Sequence, residues 1–139
     1  MKYSVFVLLL LISNAVFSQE KKYKIAIVAF YNIENLYDTL NDPKTNDEDF
    51  LPDGPMLYNS SVYKDKLSKL SDVLSIIGTD ESKDGAAMFG LAEVENEKVV
   101  QDLLAQPKLA DRHYKFIHYD SPDERGVDVA FVYNPKYFK

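Results

Sequence analysis

Met88-Phe-Gly-Leu-Ala-Glu-Val-Glu-Asn96 is an apolar run that ends abruptly in two carboxylates. The small apolar residues before Glu93 predict a strand covered on both faces. Strand side chains alternate between faces, so Glu93 and Glu95 are expected on the same side. Asn96 is a good helix N-cap, and the segment from Glu97 predicts a helix. A buried strand that ends in acid groups is typical of the edge where open α/β sheets place their chemistry. The alternative is that the glutamates only solvate a strand end.

The rest of the chain alternates between strand and helix patterns. In order, the predicted elements are a central strand over Tyr23–Tyr31, a helix that is capped by Ser60 or Ser61 and runs to about Ile77, the strand quoted above, a helix over Glu97–Ala105, and strands over Tyr114–Tyr119 and Val127–Tyr133. The buried stripe of the first helix is predicted to comprise Leu67, Leu70, Val73, Leu74 and Ile77. The order β-α-β-α-β-β, with helices that link strands, predicts a layered α/β domain.

The first 18 residues have the layout of a secretory signal peptide. Lys2 supplies a positive charge, residues 5–12 are apolar, and Ser18 precedes the expected cleavage site. The apolar run is too short for a comfortable membrane span. The chain has no cysteine, so it forms no disulfide and carries no lipid-anchoring cysteine. We therefore expect a secreted or periplasmic protein with one domain over residues 19–139 and no membrane span in the mature chain.

The mature chain is acidic. Cleavage removes Lys2 and no acidic residue, so the formal net charge changes from -6 to -7. This acidity argues against binding nucleic acid through a basic surface. It does not exclude an enzyme that meets phosphate through a bound cation, because the ion then supplies the positive charge. The acidic stretch over residues 38–59 lacks the spacing of an EF-hand and is interpreted as a turn-rich loop bordering a site.

Asn32 and Glu93 end two different predicted strands. If those strands are parallel, their C-terminal ends lie at the same edge of the sheet, and an amide and a carboxylate converge there. One carboxylate with waters is a normal magnesium site when a substrate phosphate completes the coordination. The residues therefore favour a site at which a cation and a phosphate meet.

Three motifs together resemble the endonuclease/exonuclease/phosphatase family. They are Phe30-Tyr-Asn-Ile-Glu-Asn-Leu36, Gly90-Leu-Ala-Glu-Val-Glu-Asn96 and His118-Tyr-Asp-Ser-Pro-Asp-Glu-Arg-Gly-Val-Asp-Val-Ala130. The resemblance spans roughly residues 23–134. It implies the deoxyribonuclease-like four-layer α/β sandwich and hydrolysis of phosphoesters with a divalent metal, Mg²⁺ being the expected cofactor and Mn²⁺ or Ca²⁺ the alternatives. Whether the substrate is DNA, RNA, a phospholipid head group or a small phosphate ester stays open.

The resemblance also implies roles for individual residues. Asn32 resembles the family's first-strand asparagine beside the scissile phosphate, and Glu93 resembles its metal-binding glutamate. Arg125, Gly126 and Asp128 match a motif typical of secreted bacterial relatives. Arg125 is expected to face the substrate, with a structural salt bridge as the alternative, and Asp128 is the third catalytic candidate. No role is assigned to Glu34, Glu95 and His118.

The departures from the family concern its second half. That half carries an aspartate–asparagine pair and a late aspartate–histidine pair, whereas after Asp128 this chain offers only Asn134, and no histidine follows His118. Too few strands remain to build the second sheet. The resemblance therefore implies the N-terminal half of a larger enzyme, truncated at Lys139 and inactive alone, with a C-terminal half as its missing partner.

Two other classes of protein are weighed against this interpretation. A non-catalytic secreted α/β binding module would keep the family's N-terminal half and its acidic surface. A glycosidase could use Glu93 and Glu95 as acid and base, but this reading leaves the motifs of Asn32 and Arg125 unexplained.

Overall fold

The computed structural model describes residues 23–138, so the leader predicted over residues 1–18 lies outside the described part. Its elements are β1 (Ile27–Leu36), a 3-10 turn (Glu48–Phe50), α1 (Ser60–Ile76), β2 (Ala86–Val94), α2 (Glu97–Leu104), α3 (Pro107–Ala110), β3 (Lys115–Tyr119) and β4 (Asp128–Tyr133). The predicted α/β class is confirmed, and the strands and main helices follow the predicted order. None of the described helices is long and apolar enough to cross a membrane.

The four strands form one mixed sheet in the order β1-β2-β4-β3. β1 and β2 are parallel, which requires a crossover connection, and α1 provides it. β4 runs antiparallel to both β2 and β3. The expectation that the first strand is central is wrong for the described residues, because β1 lies at an edge and β2 pairs on both sides. β1 also extends past Tyr31, since Leu36 still pairs with Val94.

The helices cover one face of the sheet and form the main core with it. Buried core residues from both layers include Leu67, Leu74, Phe89, Leu91, Val100, Leu103, Ala130 and Val132. The predicted cap of α1 at Ser60 or Ser61 is wrong: Asn59 caps the helix, because its side chain accepts hydrogen bonds from the backbone N–H groups of Ser61 and Val62. Asn96 caps α2 as predicted, with its Oδ1 accepting from Val99 N at 3.1 Å. Val73 was expected in the buried stripe of α1 but is 38% exposed.

The opposite face of the sheet is apolar and uncovered within the described residues. Paired residues share a face, and the pairing forms rows such as Phe30–Gly90–Phe131–Ile117. We use the name open face for this surface, whose large exposed apolar residues are Val28, Phe30, Ile117, Tyr119, Val129 and Phe131. Contiguous apolar surface of this kind marks an interaction site more often than scattered apolar residues do.

Candidate functional site

Asn32 and Glu93 meet at the edge where the parallel strands β1 and β2 end. Asn32 Nδ2 donates a hydrogen bond to Glu93 Oε1 at 3.0 Å. Asn32 Oδ1 accepts a hydrogen bond from the backbone N–H of Glu34 at 2.8 Å. This contact orients the amide so that its nitrogen, and not its oxygen, faces the Glu93 carboxylate. The backbone N–H of Asn35 donates to Glu93 Oε2 at 3.1 Å. The predicted convergence of these two side chains is therefore confirmed.

The backbone is strained on both strands at this point. Glu34, Asn35 and Glu93 have φ angles of 58°, 63° and 63°, in the left-handed region that favours glycine. The pairing register also shifts there. Asn32 pairs with Ala92 and Leu36 pairs with Val94, so four residues of β1 advance the pairing by only two residues of β2. Each such residue costs on the order of 1–3 kcal/mol, and strain of this kind clusters at functional sites. The strain aims the Glu93 carboxylate and the Asn35 N–H at one another.

Lys66 of α1 supports the strained segment of β1. Its ammonium group donates to the carbonyl oxygens of Glu34 and Asn35, the latter at 3.0 Å. Burial lowers the pKa of Lys66, and the nearby carboxylates of Glu34 and Glu93 oppose that shift. Sequence reasoning missed Lys66, because it lies on a helix outside the three motifs and carries no signal of its own.

Glu95 lies beside Glu93 in sequence but contacts a different segment. Regular alternation of strand side chains would put Glu93 and Glu95 on the same side. The register shift at Glu93 interrupts that alternation. Glu95 Oε2 accepts from the backbone N–H of Asp38 at 2.6 Å. Burial raises the pKa of Glu95 to about 7, with the Asp38 N–H opposing and the carboxylates of Asp38, Asp47 and Asp42 adding to the rise. Glu95 therefore ties the end of β2 to the acidic loop, the name used here for residues 38–59.

Arg125 connects the β3–β4 turn to the Glu93 site. Its Nε and Nη2 donate to Asp123 Oδ1 and Oδ2 at 3.1 and 2.8 Å, and its Nη1 donates to Asn35 Oδ1 at 3.2 Å. These contacts lower the pKa of Asp123. Arg125 thus forms the salt bridge at the turn that was the alternative expectation, and it also contacts Asn35, which donates to Glu93.

Gly126 and Tyr37 fix the conformation of this turn. Gly126 has a φ of 71°, and a Cβ there would lie 2.7 Å from Cγ2 of Thr45, so the turn needs glycine on both counts. Tyr37 Oη donates to the carbonyl of Arg125 at 2.7 Å. The backbone of the turn at Arg125 is therefore held by Tyr37, directly after β1, and by Thr45.

Asp128 lies on the other side of the sheet from Asn32. It alternates along β4 with the core residues Ala130 and Val132, on the face that the helices cover. Asn32 instead lies on the open face, because it pairs with Ala92, and Ala92 pairs with Val129 of that face. Asp128 Oδ1 accepts from Ser121 N at 2.7 Å, and Oδ2 lies 3.0 Å from His118 Nε2. The structure therefore brings together Asn32, Glu93 and Arg125 but places Asp128 in a separate group.

The Glu93 carboxylate suits a divalent cation. It accepts two hydrogen bonds, from Asn32 and Asn35, whereas a carboxylate has about four acceptor positions. None of the salt bridges among residues 23–138 involves Glu93. Lys66 and Arg125 are close enough for its charge to affect their pKa values. Its remaining acceptor positions can bind an ion with oxygen preference, such as Mg²⁺ or Mn²⁺.

Comparison with known proteins gives one match. The family model described as "Endonuclease/Exonuclease/phosphatase family" matches residues 27–139, which include all the site residues above. Searches among curated proteins and among solved structures gave no match.

Proposed function

Because the chain belongs to the endonuclease/exonuclease/phosphatase family, we propose that it forms part of a divalent-metal-dependent phosphoester hydrolase. The observation that carries this proposal is the hydrogen bond between Asn32 Nδ2 and Glu93 Oε1, at 3.0 Å across two parallel strands. It places a neutral donor beside a carboxylate that has unused acceptor positions. Asn35 extends the group to Arg125, so the Glu93 carboxylate and a guanidinium group lie at one edge of the sheet.

The residues of this chain have separate tasks in the proposal. Glu93 holds the ion, which when bound neutralises phosphate charge and lowers the pKa of a bound water. Asn32 has a second amide N–H that orients a phosphate oxygen without adding charge. Arg125 binds phosphate oxygens through its guanidinium donors. Asp128 acts as a positioning residue, because its hydrogen bond to Ser121 N anchors the turn that carries Arg125.

The proposed substrate class is a phosphoester, nucleic acid included. The formal net charge of -6 disfavours attraction of a polyanion by the protein surface at large. Contacts with phosphate are therefore concentrated at the bound ion and Arg125. Small phosphodiesters, which need few further contacts, are the most direct probes of the site.

We propose further that a C-terminal half of the domain covers the open face and completes the active site. The support is the continuous apolar row across β1, β2, β4 and β3, which includes the exposed rings of Phe30 and Phe131. The chain by itself is then expected to hydrolyse phosphoesters negligibly, since groups that complete the site would come from that half.

Hydrolysis of bis(p-nitrophenyl) phosphate by the complete gene product tests the proposed function. Turnover is expected with Mg²⁺, to disappear in EDTA, and to return when Mg²⁺ is added in excess, because the ion supplies the positive charge at the site. Turnover that is insensitive to EDTA would contradict the metal dependence. A p-nitrophenyl glycoside serves as control, and its hydrolysis without metal would favour the glycosidase interpretation.

We also propose that the protein is exported to the periplasm or the medium. The support is the charged, then apolar, then small-residue order of the first 18 residues. N-terminal sequencing of the mature protein tests this proposal. A first residue of Gln19 agrees with it, and an intact N-terminus at Met1 contradicts it.

A further inference from the structure

A cleft of about 490 Å³ lies at the end of the sheet and is separate from the Glu93 site. It is enclosed by the acidic loop, the end of β2 and the β3–β4 turn. Its lining contains six carboxylates and one ammonium group, that of Lys44, and neither Asn32 nor Glu93 lines it. Acidity alone does not define a site, but His118 also lines this cleft and supplies an independent observation.

The imidazole of His118 is buried and incompletely paired. Its side chain is 7% exposed. Nε2 lies 3.0 Å from Asp128 Oδ2 but not in the direction that a hydrogen bond needs, so it has no hydrogen-bond partner among the described residues. A buried polar atom of this kind normally has a partner. A ligand that accepts the nitrogen lone pair would supply one.

The neighbours of His118 have the chemistry and spacing of metal ligands. One ligand atom from each of His118, Asp120 and Asp128 lies within 4.8 Å of the other two. The Asp120 carboxylate lies 3.6 Å from His118 Nδ1, the other ring nitrogen, so it must move to reach an ion held at Nε2. Its exposure of 92% allows this movement at little cost. Ser121 N donates a hydrogen bond to Asp128 Oδ1, which leaves Asp128 Oδ2 facing the imidazole. Oriented carboxylates of this type are typical of metal sites.

We propose that His118, Asp120 and Asp128 bind a divalent transition-metal ion, with Zn²⁺ as the expected occupant. Imidazole nitrogen and carboxylate oxygen are both zinc ligands, and three protein ligands leave the fourth tetrahedral position for water. The imidazole disfavours Mg²⁺ and Ca²⁺, which take oxygen ligands. This site lies on the helix-covered side of the sheet, whereas Asn32 lies on the open face, and the inference does not depend on the proposed function.

Zinc titration of the untagged full-length protein, followed by long-range ¹H–¹⁵N NMR of the imidazoles, tests the proposal. The chain has two histidines, and His113 is exposed outside the cluster, which makes it an internal control. One equivalent of Zn²⁺ is expected to shift the ring nitrogens of His118 and to leave those of His113 unchanged. A shift at neither histidine, or an equal shift at both, would overturn the inference.

Calorimetry with matched variants identifies the ligands. Asp120→Asn is expected to weaken Zn²⁺ binding at least about tenfold, and the high exposure of Asp120 makes this change harmless to folding. Glu124→Gln removes one charge from an exposed residue of the same turn outside the cluster and should leave the affinity unchanged. Undiminished Zn²⁺ affinity in Asp120→Asn would contradict the assignment. Loss of Zn²⁺ affinity in Glu93→Gln would also contradict it, because the ion would then lie at the other site.

Discussion

Glu93→Gln is expected to lower Mg²⁺-dependent hydrolysis of bis(p-nitrophenyl) phosphate by the complete gene product at least about 100-fold, the range found when a preorganised electrostatic group is removed. Glutamine keeps the shape of the side chain and can still accept a hydrogen bond from Asn32 or Asn35. It removes the negative charge that holds the ion. The loss should therefore concern catalysis and metal binding, with folding retained.

A charge-matched variant controls this experiment. Glu81 is exposed in the turn before β2, at the end of the sheet away from Glu93, so Glu81→Gln changes the net charge equally. Its activity should equal that of the parent enzyme. The assignment of Glu93 would be wrong if both variants kept most of their activity, or if both lost it to the same extent.

The second large effect concerns the open face. The chain alone is expected to bind the dye ANS strongly and to self-associate, because its sheet exposes a continuous apolar row. Phe30 and Phe131 flank Gly90 in that row and are 72% and 36% exposed. Phe30→Thr combined with Phe131→Thr should reduce dye fluorescence several-fold and restore monomers in light scattering.

Exposed apolar residues on a helix provide the matched control. Val62 and Ile76 lie on α1 outside the open face and are 43% and 66% exposed. Changing both to threonine should leave dye binding and association unchanged, because they do not belong to a contiguous patch. A parent chain that stays monomeric, binds no dye and unfolds cooperatively would contradict the proposed C-terminal half and favour the binding module.

Local patterns in the sequence predicted the strands, the main helices and the Asn96 cap. The contact between Asn32 and Glu93 could also be predicted, because it follows from two parallel strands that end at one edge. What failed was the placement of the first strand at the centre. An apolar run indicates a strand but not whether that strand lies at the centre or the edge of a sheet. The end of β1 was also misplaced, because the strand continues through the polar residues Asn32 and Glu34 to Leu36.

The details of the site depend on backbone features that the sequence does not signal. Glutamate gives no indication of a left-handed conformation, so the strain at Glu34 and Glu93 and the different contacts of Glu95 could not be foreseen. The role of Lys66 depends on how α1 packs over β1. The separation of Asp128 from Asn32 follows from the strand register, which puts the two residues on opposite faces.

Anomalous diffraction from crystals of the complete gene product grown with Mn²⁺ and phosphate tests the central claim most directly. The proposal predicts a manganese peak at coordination distance from the Glu93 carboxylate, with a phosphate oxygen in contact with Asn32 Nδ2 and another in contact with Arg125. A fully occupied manganese site elsewhere, with the Glu93 carboxylate free of metal, would contradict the assignment of this edge of the sheet as the catalytic centre.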